Sequence, residues 1–219
     1  HTDVDLCFSD PITEKRMARY RETNLGDLCA DAYRFMSGAD VAIVNGGAIR
    51  TAIPAGDITY GQMISVHPFQ NEMCLIEITG QELSDALEYS VSKLPDEFGG
   101  FLQVSGMSFT VDLSVKSGVV IDNDGMFSHI EEGERRIKDI LIGSEPLDPA
   151  KVYTLACHNY ELKSMGDGYS MFADNHFIMD SVMIDNQVLI NYIVKGLGGV
   201  VGENYADPYG QGRITIIGE

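Results

Sequence analysis

One segment constrains the fold of this sequence more than any other: a helical repeat of apolar residues that leads, after a glycine, into a short apolar strand. Apolar residues recur at helical spacing behind Asn24, which we predict to cap the helix, and Gly38 ends the run. Residues 40–44 then predict a short buried strand that leads directly into Asn45-Gly46-Gly47. A helix that returns so closely to a buried strand indicates a layered α/β protein.

The rest of the chain continues the alternation of helices and strands. A capping box at Thr79 and Glu82 predicts a second helix, which Pro95 closes, and a third helix is predicted from about Asp185 to Lys195. Residues 143–147, between Ile142 and Val152, predict a hairpin connection, and further strands are predicted at residues 73–78, 107–113, 152–157 and 213–217. We therefore expect a mixed α/β (α+β) fold, one compact domain over residues 1–219 with a mixed sheet and flanking helices, whose strand order the sequence leaves open.

The charge of the chain limits its partners. Acidic residues outnumber basic ones by 33 to 15, which gives a formal net charge of −18 and disfavours general binding to nucleic acid or to anionic membrane surfaces. Polar side chains such as Asn186 and Asn191 interrupt the longest apolar region, residues 183–201, so no membrane span is predicted. Because the sequence begins with His1 and not with Met, we interpret it as a processed or excised piece of a longer protein.

No complete metal site or catalytic motif is found in the sequence, so we expect no catalytic residue and no metal or cofactor bound by this chain. Its five histidines lack metal-ligand spacing. Residues 122–125 (DNDG) resemble the start of a calcium loop, but Gly133 stands where the bidentate glutamate belongs, which predicts a solvated turn. The cysteines are widely spaced and lie in apolar surroundings, which predicts four buried free thiols, at Cys7, Cys29, Cys74 and Cys157.

Arginines gather at the start of this acidic chain, where five of the eight lie in the first fifty residues. Arg19 and Arg21 alternate around Tyr20, so we expect them to point to opposite sides of an extended segment, whereas Arg50 follows a predicted strand and a glycine turn. Such strand ends are where α/β folds place ligand groups, and guanidinium groups bind phosphate through paired hydrogen bonds. Arg19 and Arg50 are therefore candidates for binding one small anion, and surface ion pairing with the many carboxylates is the competing interpretation.

Two aromatic residues and an aspartate lie close to other predicted strand ends. Phe69 precedes the strand at residues 73–78, Tyr160 follows the strand at residues 152–157, and Asp167 stands between two glycines. Two aromatic rings could enclose a flat base, and the carboxylate could accept hydrogen bonds from sugar hydroxyls. Each feature alone has an ordinary alternative, since a single aromatic residue is usually core and Gly-Asp-Gly is usually a turn. Together with the arginines they predict a nucleotide site.

Longer motifs connect this chain with a known family. They are RYRETNLGDL at residues 19–28 with Asp31-Ala32, NGGAIR at 45–50, GDITY at 56–60, PF at 68–69, FLQVSG at 101–106 and GDGY at 166–169. In this order, and over nearly the whole chain, they resemble the C-terminal domain of the 5′-nucleotidase / UDP-sugar hydrolase family of secreted and periplasmic enzymes.

The resemblance implies six substrate-binding residues in this chain: Arg19, Asn45, Arg50, Phe69, Tyr160 and Asp167. The two aromatic rings would enclose the base, and the asparagine would contact the edge of the base. The arginines would hold ribose and phosphate, and the aspartate would accept the ribose hydroxyls. A tyrosine stands at position 160, where phenylalanine is common in the family, and its hydroxyl requires a partner or water.

The resemblance also implies an N-terminal metallophosphatase domain that holds two divalent metal ions and the catalytic residues, and that swings relative to this domain about a hinge. This chain would then bind a nucleotide without hydrolysing it, and the whole protein would work outside the cytoplasm. Two alternatives within the family stay open, a UDP-sugar hydrolase and a 2′,3′-cyclic phosphodiesterase/3′-nucleotidase. A third alternative, from another class, is a non-catalytic surface binding module.

Overall fold

The computed structural model describes residues 1–10 and 12–218. In this part of the chain the α-helices are α1 Asn24–Ser37, α2 Tyr60–Val66, α3 Gly80–Ser90, α4 Asn159–Leu162 and α5 Asp185–Asn191. The strands are β1 Val41–Asn45, β2 Met73–Thr79, β3 Leu102–Ser105, β4 Met107–Asp112, β5 Val119–Ile121, β6 Phe127–Ile130, β7 Ile137–Ile142, β8 Glu145–Pro146, β9 Val152–His158, β10 Phe177–Met179 and β11 Ile214–Ile217. The predicted mixed α/β fold is confirmed. The predicted hairpin connection between Ile142 and Val152 is wrong, because the chain turns at residues 143–144 into β8, which pairs with β7, whereas β9 lies in the other sheet.

The main sheet has five strands in the order β10-β2-β9-β1-β3. Only β1 and β9 are parallel, and the other neighbours pair antiparallel. We expected a single mixed sheet, but a four-stranded sheet, β11-β4-β7-β8, and the pair β5-β6 are separate from it. Gly106, whose φ of 77° is in the left-handed region, turns the chain between β3 and β4, so β4 leaves the main sheet and pairs with β7 and β11.

The main sheet is buried on both faces. Alternate residues of β1 point into two different apolar clusters, Ile43 into one and Val44 into the other. Helix α3 packs its Leu83 on the first cluster, and helices α1 and α5 pack on the second through residues such as Leu28 and Leu189. Two-sided burial leaves the ends of the strands as the exposed part of the sheet, and ligand sites in α/β proteins lie at such ends.

Helix α1 is capped by Thr23 and not by Asn24, so this prediction is wrong. The Thr23 hydroxyl accepts a hydrogen bond from the Gly26 amide at 2.9 Å. Asn24 is fully buried, and its side chain instead bonds to backbone groups of Asp5, Cys7 and Tyr205. An amide carries both donors and an acceptor, so Asn24 can satisfy two passing backbone segments that a hydroxyl could not.

Two other predicted helices end differently in the structure, and helix α2 was missed. The capping box of α3 is present, but the helix ends at Ser90, and the Arg136 guanidinium binds the carbonyls of Val91 and Leu94 beyond it. The third predicted helix is α-helical only to Asn191 and continues as a π-helical turn, Tyr192–Gly196. Helix α2 was not predicted, although Thr59 and Gln62 form the same kind of capping box.

The predicted turn at residues 122–125 is confirmed, since one oxygen of Asp122 accepts hydrogen bonds from the backbone amides of Asp124 and Met126 within the loop between β5 and β6.

All four cysteines are free thiols, and three of them are buried as predicted. Cys7 is only partly buried, because its neighbour Leu6 takes the inward position against the core. Within the described residues, no helix is both long and apolar enough to cross a membrane.

Candidate functional site

Four loops meet at one edge of the main sheet. The parallel strands β1 and β9 both end there, at Asn45 and His158. The antiparallel strands β2 and β3 both begin there, because Met73 pairs with His158 and Leu102 pairs with Asn45. The segments that precede or follow these strands therefore converge, although they are distant in the sequence.

The converging segments enclose an open pocket of about 390 Å³. Its lining contains all six of the residues predicted to bind substrate: Arg19, Asn45, Arg50, Phe69, Tyr160 and Asp167. The sequence analysis missed the remaining lining residues, which are Gly47, Ala48, Asn71 and Gly99. Gly47 and Ala48 stand inside the NGGAIR motif and Asn71 lies two positions after Phe69, so their closeness in sequence was the available signal.

Arg19 comes to the pocket from a 3₁₀ turn, Met17–Arg19, and not from the extended segment that we predicted. The buried Gln103 amide holds this turn, since its NH₂ group donates to the carbonyls of Ala18 and Arg21, at 3.0 and 2.8 Å. Gly46 lies directly under the turn, where any Cβ atom would overlap the Ala18 carbonyl oxygen.

The two predicted anion-binding arginines lie on the same pocket wall. Among the residues that the structure describes, neither Arg19 nor Arg50 has a carboxylate within 4.0 Å, in contrast with Arg16, which pairs with Glu97. Burial lowers the pKa of Arg19, and the neighbouring cations of Arg16 and Arg50 lower it further. Two cations that repel each other in a half-open pocket favour an anionic ligand.

Arg21 lies over the Tyr209 ring at 4.7 Å and does not line the pocket. The 3₁₀ turn separates it from Arg19, since residues two positions apart in the predicted extended segment would share one side. The aromatic residues of the pocket are both exposed. Phe69 is 56% exposed and Tyr160 is 40% exposed, so neither is a core residue in this structure. The Arg50 guanidinium lies 5.6 Å from the centre of the Phe69 ring, a cation–π contact that places charge beside the aromatic face.

Asp167 lies at the centre of the polar floor of the pocket. The Asn45 NH₂ group donates to one carboxylate oxygen at 2.7 Å, and the Tyr160 hydroxyl donates to the other at 3.4 Å. The Asp167 backbone has a left-handed φ of 52°, and the Tyr89 hydroxyl fixes it by donating to the Asp167 carbonyl at 2.7 Å. Each carboxylate oxygen keeps free lone pairs, so the group can accept further hydrogen bonds from a ligand's hydroxyls.

A buried ionic pair lies behind this floor. His158 Nδ1 is 2.6 Å from a Glu161 carboxylate oxygen, and both side chains are fully buried. With Cys157 they form the one group in the described residues whose ligand atoms could surround a metal ion. Two ligands on a tetrahedral zinc are roughly 3.4 Å apart, so the short imidazole–carboxylate distance fits a direct ionic contact and does not fit a metal ion between them.

The fold and the pocket define a class of protein: an α/β domain with an open pocket at the strand ends that combines two aromatic rings, two arginines and a carboxylate. The family model described as "5′-nucleotidase, C-terminal domain" matches residues 3–174. The chain belongs to this family.

Individual relatives agree with this assignment. The chain is 32% identical to the protein UshA of Escherichia coli over 83% of its length, and 31% identical to the trifunctional nucleotide phosphoesterase protein YfkN of Bacillus subtilis over 99%. The crystal structure of a 5′-nucleotidase precursor from Thermus thermophilus aligns with the whole chain at a TM-score of 0.79 and 29% identity. The chain spans only 29%, 14% and 39% of these three proteins, respectively.

Proposed function

We propose that this chain is the substrate-binding domain of a metal-dependent 5′-nucleotidase, which hydrolyses nucleoside 5′-monophosphates to nucleoside and phosphate. The observation that carries the proposal is the convergence of the six predicted binding residues in one pocket. The family match and the name of the Thermus relative, a 5′-nucleotidase precursor, support the same activity.

In this proposal the pocket residues divide the ligand between them. The exposed rings of Phe69 and Tyr160 stack on the base. Asp167 accepts hydrogen bonds from the ribose hydroxyls, and Arg19 and Arg50 bind ribose and phosphate oxygens. Stacking and hydroxyl recognition are common to all nucleosides, so the arginines select for the phosphorylated form.

The bond-breaking step is assigned to an N-terminal metallophosphatase domain of the same polypeptide. Two divalent ions there would supply charge stabilisation for both the attacking and the leaving oxygens. We propose that this chain binds no metal or cofactor of its own and contributes binding and orientation only. The resemblance to secreted and periplasmic enzymes supports an extracytoplasmic location for the whole protein.

The YfkN relative gives support to a broader phosphoester activity, since its name describes a trifunctional nucleotide phosphoesterase. A 2′,3′-cyclic phosphodiesterase/3′-nucleotidase and a UDP-sugar hydrolase would use the same pocket with a different ester in the metal domain. A non-catalytic surface module is a weaker candidate, because such a protein has no need for two arginines free of carboxylate partners beside exposed aromatic rings.

The isolated chain should bind AMP and adenosine without added metal and should not hydrolyse AMP. We expect weak binding, because only one side of the ligand is enclosed, and no phosphate release above buffer with manganese, cobalt or zinc present. Ligand-observed NMR with AMP, adenosine and UMP measures the first, and phosphate release measures the second. Silence from all three ligands would contradict a preformed pocket. Phosphate release that scales with protein concentration through repurification would show a catalytic site in this chain.

A further inference from the structure

We propose that His158 is a positioning residue for the pocket: its Nε2–H group donates to the Asn45 Oδ1 atom and so fixes the Asn45 amide with its NH₂ group on Asp167. A continuous chain of contacts carries this inference. Glu161 is 2.6 Å from His158 Nδ1, His158 Nε2 is 3.2 Å from Asn45 Oδ1, and Asn45 Nδ2 is 2.7 Å from Asp167 Oδ2. The chain begins in the core and ends on the pocket floor.

The polarity of the chain follows from its last member. A carboxylate only accepts hydrogen bonds, so Asn45 must face Asp167 with its NH₂ group and face His158 with its carbonyl oxygen. The reverse orientation would place the amide oxygen against a carboxylate oxygen at 2.7 Å. His158 Nε2 must therefore carry a hydrogen, because an unprotonated nitrogen would set two acceptors against each other.

The protonation of Nδ1, the other ring nitrogen of His158, does not change the conclusion that Nε2 carries a hydrogen. Burial alone would lower the pKa of His158, but the Glu161 carboxylate raises it, and Asp185 and Asp167 act in the same direction. Tyr33 packs edge-on against the imidazole ring of His158. Burial lowers the pKa of the nearby His67 to about 4, and a charge on His158 acts in the same direction. Whether or not Nδ1 also carries a hydrogen, the Nε2 hydrogen stays on the side of Asn45.

The consequence for ligand recognition rests on the proposed function. The carbonyl oxygen of Asn45 is engaged in the interior, so Asn45 offers a ligand its NH₂ group. It would thus act as a donor toward a ring nitrogen or a carbonyl on the edge of the base. Asp167, held by the same amide, stays aligned as an acceptor for hydroxyl groups.

The first test needs no ligand. In ¹⁵N-labelled protein, His158 Nε2 should carry a directly bonded hydrogen that exchanges slowly with solvent at neutral pH, with a scalar or through-space connection to the Asn45 side chain. An Nε2 resonance of the unprotonated type at neutral pH would overturn the proposal.

The second test compares two uncharged replacements. The amide nitrogen of His158→Gln can take the place of Nε2 and donate to Asn45, whereas His158→Leu has no donor. We expect adenosine affinity close to that of the unmodified protein for the glutamine variant and about tenfold weaker for the leucine variant. Both variants lose the ionic pair with Glu161, so equal losses of affinity would assign a merely structural role to His158 and overturn the proposal.

Two further measurements keep this comparison decisive. Tyr33→Phe changes a packing neighbour of the imidazole without touching the chain of contacts, and it should leave adenosine affinity unchanged. Melting temperatures establish that each variant is folded, and if His158→Leu does not fold, the NMR result on the unmodified protein decides. If the unmodified protein binds no nucleoside, the proposed function fails, while the Nε2 hydrogen still confirms or refutes the positioning role.

Discussion

Phe69→Ala should weaken binding of AMP and adenosine by about 1–3 kcal/mol, the usual contribution of one aromatic–base stack. The loss should be nearly independent of salt, because no charge is removed. Since Phe69 is 56% exposed, its replacement should change the melting temperature little. Replacing a buried phenylalanine by alanine would instead cost roughly 3–5 kcal/mol of folding stability. NMR-detected titrations and thermal unfolding of the same variant measure both quantities.

Arg50→Ala provides the electrostatic counterpart in the same experiment. If Arg50 binds phosphate, its loss should weaken AMP binding more than adenosine binding, and the difference should shrink as ionic strength rises. Matched controls lie elsewhere on the surface: Phe35→Ala removes a half-exposed aromatic ring that packs on Tyr192, and Arg34→Ala removes an exposed arginine that donates to the Asp40 carbonyl. A destabilised Phe69→Ala variant that binds AMP normally would remove Phe69 from the site.

Asp27→Asn should make the protein more stable in alkaline solution and flatten its loss of stability with rising pH. Asp27 is fully buried under the C-terminal segment, where the backbone N–H of Gln211 donates to the carboxylates of both Asp27 and Glu22. The pKa of Asp27 is raised to about 9, chiefly by burial; Arg213 opposes the shift, and Glu22 and Asp31 add to it. We therefore expect the carboxyl group to be neutral in the folded protein at pH 7, although Arg213 Nε lies 3.6 Å from it.

The direction of the effect follows from the two pKa values. The folded pKa of about 9 exceeds the ordinary value of 3.8, so the folded state binds more protons than the unfolded state between these values. Stability from this group is full below about pH 4 and declines as pH rises toward 9, by up to about 1.4 kcal/mol per pH unit. Asp185, whose pKa burial raises to about 6, adds a smaller decline in the same direction.

An asparagine keeps the neutral shape of the protonated group and has no proton to lose. Urea unfolding of both proteins at pH 5, 7 and 9 should give a stability difference that grows with pH in favour of Asp27→Asn. Asp124→Asn makes the same chemical substitution at an exposed turn and serves as the control. Equal pH dependence in the Asp27→Asn variant and the unmodified protein would mean that Asp27 is ionised when folded.

The local part of the fold could be predicted because its causes are local. The α3 capping box, the helical spacing of α1 and the turn at Asp122 depend on residues within four positions of each other. The prediction that Asn24 caps α1 was wrong because its neighbour Thr23 can do the same task and does. The Asn24 side chain is used elsewhere, because its NH₂ group donates to the carbonyls of Asp5 and Tyr205, which are distant in the sequence.

The sequence by itself determined the fold class, the family and six of the ten residues that line the pocket, because short motifs at strand ends carry that information. Tertiary structure alone decided how those residues are held. Gln103 is more than eighty positions from the Arg19 turn that it fixes, and His158 is 113 positions from Asn45. Such contacts arise because the sheet order places β9 and β3 on either side of β1, and no periodicity along the chain records that order.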